Sequence, residues 1–251
     1  MSIFEMTIFW ISIKASFYWL MYALWFILWN IILYKRNVIP RKYLDDLFLY
    51  IFLGMMIWAR LWYVLFYNFE KYLVSPIDIL KVWEWWMSFH WWVIWVVIAM
   101  FLFSKKFKFS FLKLADQVTL VLPIGIWLWR FWNYLNKELL WYSGYTWIWA
   151  IEINWISYFP SPLLECLLEG ICLFIILNFI YIKCKNIKTW QIAALFLIFY
   201  SIFRIFIEIF FRTPDQNIWY ILNYFTMGEI LSLPMFLIWV YYFIKLRKNA
   251  L

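Results

Sequence analysis

The stretch WQIAALFLIFYSIFRIFIEIFF, residues 190–211, decides the fold. It is apolar almost from end to end. As a helix rising about 1.5 Å per residue it is long enough to cross about 30 Å of hydrocarbon. Inside it stands Arg204, followed one helical turn later on the same face by Glu208. Working outward, the same pattern recurs at residues 10–34, 46–67, 89–104, 117–135, 163–182 and 226–244, each apolar run marked off by polar clusters. The reading is an all-α, polytopic membrane protein of about seven transmembrane helices, with residues 1–251 as a single transmembrane catalytic domain. The first run begins too far in, is too long, and lacks a basic leader and a small-residue cleavage site, so it is read as a helix rather than a cleaved signal peptide.

Composition points the same way. Apolar types make up 68% of the chain and charged types 14%, against roughly half and a quarter in soluble domains. No globule of this size has enough interior to hide that much apolar side chain. A soluble enzyme or nucleic-acid domain is therefore excluded. Cys166, Cys172 and Cys184 form no zinc or C-x-x-C spacing and lie in or beside one apolar run, as free thiols do.

The net charge of +8 is explained by where the cations fall. Lys35, Arg36, Arg41 and Lys42 follow the first span, and Lys105, Lys106, Lys108 and Lys113 the third. Lys183, Lys185 and Lys188 follow the fifth, and Lys245, Arg247 and Lys248 end the chain. The alternate loops hold only Lys14, Lys71, Lys81, Lys137 and Arg212. Positive loops stay in the cytoplasm, so the N-terminus is outside and the C-terminus inside. The basic loops then touch anionic inner-leaflet lipid, and no nucleic-acid partner is needed.

Arg60, Arg130 and Arg204 lie within spans, where a charge costs at least a few kcal/mol and marks a site or a partner. The plainer alternatives are snorkelling to an interface or a structural ion pair. On the predicted topology other polar groups reach the same outer level: Tyr18 and Tyr22, His90, Asn133 and Asn136, Glu165, Glu208 and Glu229. Their convergence describes a polar, anion-accepting cavity open to the outer leaflet. Guanidinium groups suit a phosphate there, because they grip it with two parallel hydrogen bonds.

At these residues the chain resembles the bacterial prolipoprotein diacylglyceryl transferase family. Tyr18-Trp-Leu-Met-Tyr22-Ala-Leu-Trp is similar to Y-G-L-M-Y-x-x-G, and Trp58-Ala-Arg60-Leu-Trp-Tyr63-Val-Leu-Phe-Tyr67 to G-x-R-L-G-Y-V-x-F-Y. Trp83-Glu84-Trp-Trp-Met-Ser88-Phe-His90-Trp-Trp resembles W-E-G-G-M-S-F-H-G-G. Arg130-Phe-Trp-Asn133-Tyr-Leu-Asn136-Lys-Glu138 resembles R-x-G-N-F-x-N-x-E, and Pro160-Ser161-Pro162-Leu-Leu-Glu165 resembles P-S-Q-L-Y-E. Arg204-Ile-Phe-Ile-Glu208 with Arg212-Thr-Pro-Asp215 resembles R-x-x-x-E-F-F-R-x-P-D, and Thr226-Met-Gly228-Glu229-Ile-Leu-Ser232-Leu-Pro234-Met235 resembles T-M-G-Q-x-L-S-x-P-M. Seven blocks in one order make a specific match over nearly the whole chain. Lys137 stands at a family Gly, Pro162 and Leu164 replace Gln and Tyr, Glu229 replaces Gln, and one extra residue precedes Arg212.

The resemblance implies a multi-pass enzyme of the bacterial cytoplasmic (inner) membrane. It would transfer the diacylglyceryl group of phosphatidylglycerol to the lipobox cysteine of prolipoproteins, with no cofactor and no metal. An ordinary thiol with a pKa of about 8.5 needs a base to become thiolate. His90 is the natural candidate, with Glu138 or Glu208 as alternatives. Arg130 and Arg204 would hold the phosphate, with Glu208 beside them. Asn133, Asn136, Glu138, Tyr18, Tyr22, Arg60, Glu165 and Arg212 would complete the lipid site. Two other classes accommodate intramembrane arginines. A lipid transporter or flippase is one, against which stands the lack of an internal repeat or paired broken helices. A catalytically inactive homologue is the other.

That last reading arises from 22 Trp against five Gly, where ordinary usage of Gly is roughly 7%. In four of the quoted blocks Trp stands where the family has Gly. Replacing the smallest side chain by the largest overpacks a core. Decoding UGA as Trp in a lineage that reads it as Gly would convert many positions at once. Trp85, Trp86, Trp91, Trp92, Trp129 and Trp132 are accordingly predicted to be Gly in the natural protein.

Overall fold

The computed structural model describes residues 2–8, 11–37, 39–66, 72, 89–137, 143–184, 186–211 and 226–248. It is mostly helical. Strands β1 (Ser2–Ile8) and β2 (Ile11–Ser16) pair, then α1 runs Phe17–Arg36, α2 Leu44–Phe66 and α3 Phe89–Phe107. Helices α4 (Phe111–Thr119) and α5 (Leu122–Leu135) form one apolar stretch with a break at Leu120 and Val121. A second hairpin, β3 (Ile151–Ile153) with β4 (Ile156–Tyr158), precedes α6 (Ser161–Lys183), which carries a π-helical turn over Cys166–Cys172. Helices α7 (Gln191–Phe211) and α8 (Met227–Lys248) complete the described chain.

Among the described residues four helical stretches are long and apolar enough to cross a membrane: Phe111–Leu135, Ser161–Lys183, Gln191–Phe211 and Gly228–Lys245. Large apolar side chains face outward along them, among them Ile175, Phe179, Ile182, Phe210 and Leu237. That arrangement suits hydrocarbon as solvent and would be unstable in water. The first predicted span starts too early. The alternation in Ile11-Ser-Ile-Lys-Ala-Ser16 has period two, the signature of a strand, and the helix begins only at Phe17. The two small hairpins likewise qualify the all-α expectation.

The chain divides into two compact units, one of residues 1–5, 14–29 and 116–251, the other of 6–13 and 30–115. In the second unit α2 packs along α3, burying Leu47, Ile51 and Phe103. Its basic clusters lie on aromatic rings: the Arg41 guanidinium is 4.0 Å from the Tyr34 ring, and Lys106 Nζ is 5.3 Å from Tyr50. Cations stacked on rings at helix ends are the usual furnishing of a membrane interface.

In the first unit Leu120, Leu173, Leu177, Ile192 and Phe196 form the buried centre. Asp116 ties α4 to α7. Its Oδ2 accepts from the Trp190 N–H at 2.7 Å and its Oδ1 from the Ala193 N–H at 2.9 Å, serving donors that a helix start leaves without intrahelical partners. Asp116→Ala should lower stability by about 1–3 kcal/mol, the cost of leaving buried N–H groups unsatisfied. Thermal unfolding in detergent measures it, and an unchanged midpoint would contradict the capping role. Two glycines sit where helices nearly touch. A Cβ on Gly125 would lie 2.7 Å from the Trp25 ring, and one on Gly170 would lie 2.6 Å from the Trp127 Cβ.

Candidate active site

The contact between Gly170 and Trp127 brings α5 and α6 together one turn before Arg130. Arg130 Nε then stands 2.9 Å from Glu165 Oε2. Glu165 closes the first turns of α6, which begin at Ser161 with Pro162 next. Proline is tolerated there because the first-turn N–H has no intrahelical acceptor, so Pro162 in place of Gln leaves the turn intact. From α7, Arg204 Nη1 reaches Glu165 Oε1 at 3.1 Å and Glu169 Oε1 at 3.3 Å, while its Nη2 reaches Glu208 Oε1 at 2.8 Å.

Five charges thus form one buried network. Glu165 bridges both arginines, and Arg204 is ringed by three carboxylates. The carboxylates are almost wholly buried, whereas Arg130 and Arg204 keep 14% and 11% of their side chains exposed. Among the described residues the two terminal nitrogens of Arg130 have no hydrogen-bond partner, so within them its fork is unengaged. Asn133, one turn further along α5, is buried, and its Nδ2 also lacks a partner among the described residues. An open fork and an orphaned amide donor on one helix face form an anion- and hydroxyl-accepting surface.

Helix α8 closes over this network. A Cβ on Gly228 would collide with the Glu208 carboxylate, so a larger residue there would have to displace Glu208 from its place beside Arg204. Glu229 proves to be a capping residue. Its Oε2 accepts from the Thr226 N–H at 2.8 Å, and Thr226 Oγ1 accepts from the Glu229 N–H at 3.1 Å. This reciprocal box takes Glu or Gln equally well, which explains the Gln-to-Glu departure. Lys137 has φ +58°, a left-handed backbone that glycine adopts most readily, and its Nζ donates to Glu152 O at 3.0 Å.

Of the sequence-selected residues, the structure gathers Arg130, Glu165, Arg204 and Glu208 into contact. Asn136 caps the C-terminus of α5. His90 lies on α3, Arg60 on α2, and Tyr18 and Tyr22 on α1, with their side chains outside the described residues. Glu138 and Arg212 lie outside the described residues altogether. Glu169 was missed. Its signal was in plain view: an acid within an apolar run, four residues after Glu165 and hence on the same face. Among the described residues no group of His, Cys, Asp or Glu is placed to hold a metal ion.

The family model described as prolipoprotein diacylglyceryl transferase matches residues 6–245. The chain belongs to that family. It is 40% identical over 238 residues to the phosphatidylglycerol–prolipoprotein diacylglyceryl transferase of Rickettsia felis, covering 91% of each chain. Over 221 residues it is 41% identical to the Rickettsia akari protein of the same name, covering 86% of this chain and 85% of the other. Against the Rickettsia bellii protein of that name, identity is 39% over 249 residues, or 95% of this chain and 94% of the other. Membership of this transferase family, with its apolar helices, makes the chain a multi-pass membrane enzyme.

Proposed function

We infer that this chain transfers the diacylglyceryl group of phosphatidylglycerol to the lipobox cysteine of a prolipoprotein. The sulfur–carbon bond of a thioether forms, the glycerol carbon–oxygen bond to phosphate breaks, and glycerol phosphate leaves with the bonding pair. The observation that carries this reading is the open Arg130 fork beside the orphaned Asn133 Nδ2. The fork receives the phosphate and holds its growing charge in the transition state, and Asn133 receives the glycerol head group. Arg204, occupied by three carboxylates, supports the phosphate field from behind rather than gripping it. Glu208 is bonded to Arg204 and covered by α8, which favours His90 over Glu208 as the base that takes the thiol proton.

Purified protein with phosphatidylglycerol and a lipobox peptide should yield the thioether peptide and glycerol phosphate. Lipid transport in liposomes without any acceptor, and no thioether product, would establish the flippase instead. His90→Gln should slow transfer and shift its pH dependence. An unchanged profile would move the base role to a carboxylate.

The proposed setting is the bacterial cytoplasmic membrane, with seven spans, the N-terminus outside and the C-terminus inside. The charge asymmetry of the loops supports it. Single cysteines at 106 and 185 should be shielded from an impermeant thiol reagent in intact cells, and cysteines in 68–87 and 136–160 should be labelled. Labelling at 106 or 185 would invert the topology.

A further inference from the structure

We propose that Glu169 is a positioning residue for the transfer reaction, a role that rests on the reading above. It lies in the π-helical turn of α6, an irregularity that often marks functional sites, and is fully buried. Its Oε1 shares Arg204 Nη1 with Glu165, whose other oxygen faces Arg130. By taking part of the Arg204 charge, Glu169 leaves Glu165 able to hold Arg130 by its Nε, with the fork turned to substrate. Stability alone does not explain it. Glu165 and Glu208 already balance the two guanidinium charges, and Glu169 Oε2 has no hydrogen-bond partner among the described residues. An apolar side chain in such a place is commonly as stable as the ion or more so. Glu169→Met should therefore keep or raise the thermal midpoint while kcat falls at least about ten-fold, with the KM for the peptide unchanged. Glu169→Gln, which keeps an oxygen for Arg204, should recover part of the loss. Wild-type kcat in Glu169→Met overturns the proposal. So does an equal loss in both variants in step with a lowered midpoint. The unsubstituted enzyme, assayed in parallel, tests the transferase reading separately.

A second observation stands on its own. Seven described non-glycine residues have positive φ: Asn37, Lys108, Lys137, Trp149, Asn154, Trp155 and Trp190. Asparagine visits that region readily, but a bulky indole does not. Ile153 pairs with Ile156, so Asn154 and Trp155 make a two-residue hairpin loop with φ +50° and +66°. That is the primed turn whose favoured sequence is Asn-Gly. Ala150 N–H donates to Trp147 O at 3.1 Å, and Trp149, at φ +65°, is the third residue of that turn, the place where a type II turn takes glycine. Trp190, at φ +82°, stands immediately before α7. Three backbone conformations that call for glycine thus fall on tryptophan, in a chain with 22 Trp and five Gly.

We infer that Trp149, Trp155 and Trp190 are glycine in the protein its own cell makes, with UGA read as glycine. The backbone evidence concerns positions away from the site motifs and is independent of them. Peptide mass spectrometry of the protein isolated from its own cells should read glycine at all three positions, and the gene should carry UGA there. A tryptophan at any one of them, or a UGG codon, overturns the inference. In recombinant protein, Trp155→Gly should raise the thermal midpoint by relieving the turn, and a lowered midpoint counts against it.

Discussion

Arg130→Lys should lose nearly all transfer activity while still inserting into the membrane. Arg130 meets Glu165 through Nε, and among the described residues nothing engages its two terminal nitrogens, which on the proposed reading take the phosphate. A lysine has one ammonium. If it pairs with the buried Glu165, nothing is left for the phosphate. If it turns to the phosphate, Glu165 is left facing Arg204 alone. Bidentate recognition is what distinguishes arginine from lysine at such a site. Losing a charge-stabilising contact of this kind costs about 10²–10³ in kcat. Arg130→Ala should be worse, since it removes the cation altogether and leaves the buried Glu165 with Arg204 alone. Transfer kinetics with phosphatidylglycerol and a lipobox peptide read the effect. Turnover near the unsubstituted rate in Arg130→Lys would refute the two-pronged role.

Glu165→Gln should damage both stability and activity. Glu165 is the only member of the network in contact with both arginines, at 2.9 Å and 3.1 Å. It is almost wholly buried, at 1% exposure. Removing one partner of a buried pair leaves the other uncompensated and costs about 3–5 kcal/mol. Here part of that is offset for Arg204 by Glu169 and Glu208, but nothing described replaces the Glu165 contact of Arg130. The loss should therefore appear first as a failure to orient Arg130. Glu165→Asp, one methylene shorter, should fail to span both arginines and restore little. Unfolding in detergent together with transfer rate separates the two effects. A Glu165→Gln enzyme with an ordinary midpoint and ordinary rate would sink the bridging role.

Tryptophan near the site bears on the inactive-homologue alternative. Trp132 is buried two residues from Arg130, whereas Trp129 is 38% exposed, so only Trp132 of this pair fills the interior. Trp91 and Trp92 lie on α3 with their side chains outside the described residues, and Trp85 and Trp86 lie outside the described residues. Gly170, pressed against Trp127, shows how little room the α5–α6 contact has for a side chain on both partners.

What the sequence determined by itself follows from lipid as solvent. Each segment must satisfy its own backbone and cover its own length of hydrocarbon, so spans such as 190–211 and 163–182 are legible residue by residue, and the helices begin and end within a few positions of them. Charges that lipid should exclude are equally local signals, which is why Arg130, Glu165, Arg204 and Glu208 could be named in advance. The strand at Ile11–Ser16 was masked because its alternation runs without a break into the apolar helix that begins at Phe17. Only the tertiary structure decided how the charges pair, because partners such as Glu165 and Arg204 are 39 residues apart in the chain. It alone recruited Glu169, turned Arg130 to Glu165 by its Nε, packed Gly228 onto Glu208 and made Glu229 a cap. Each of these depends on which helix faces which, and at what distance. Hydropathy fixes that a helix crosses the membrane but not the neighbour its polar face meets.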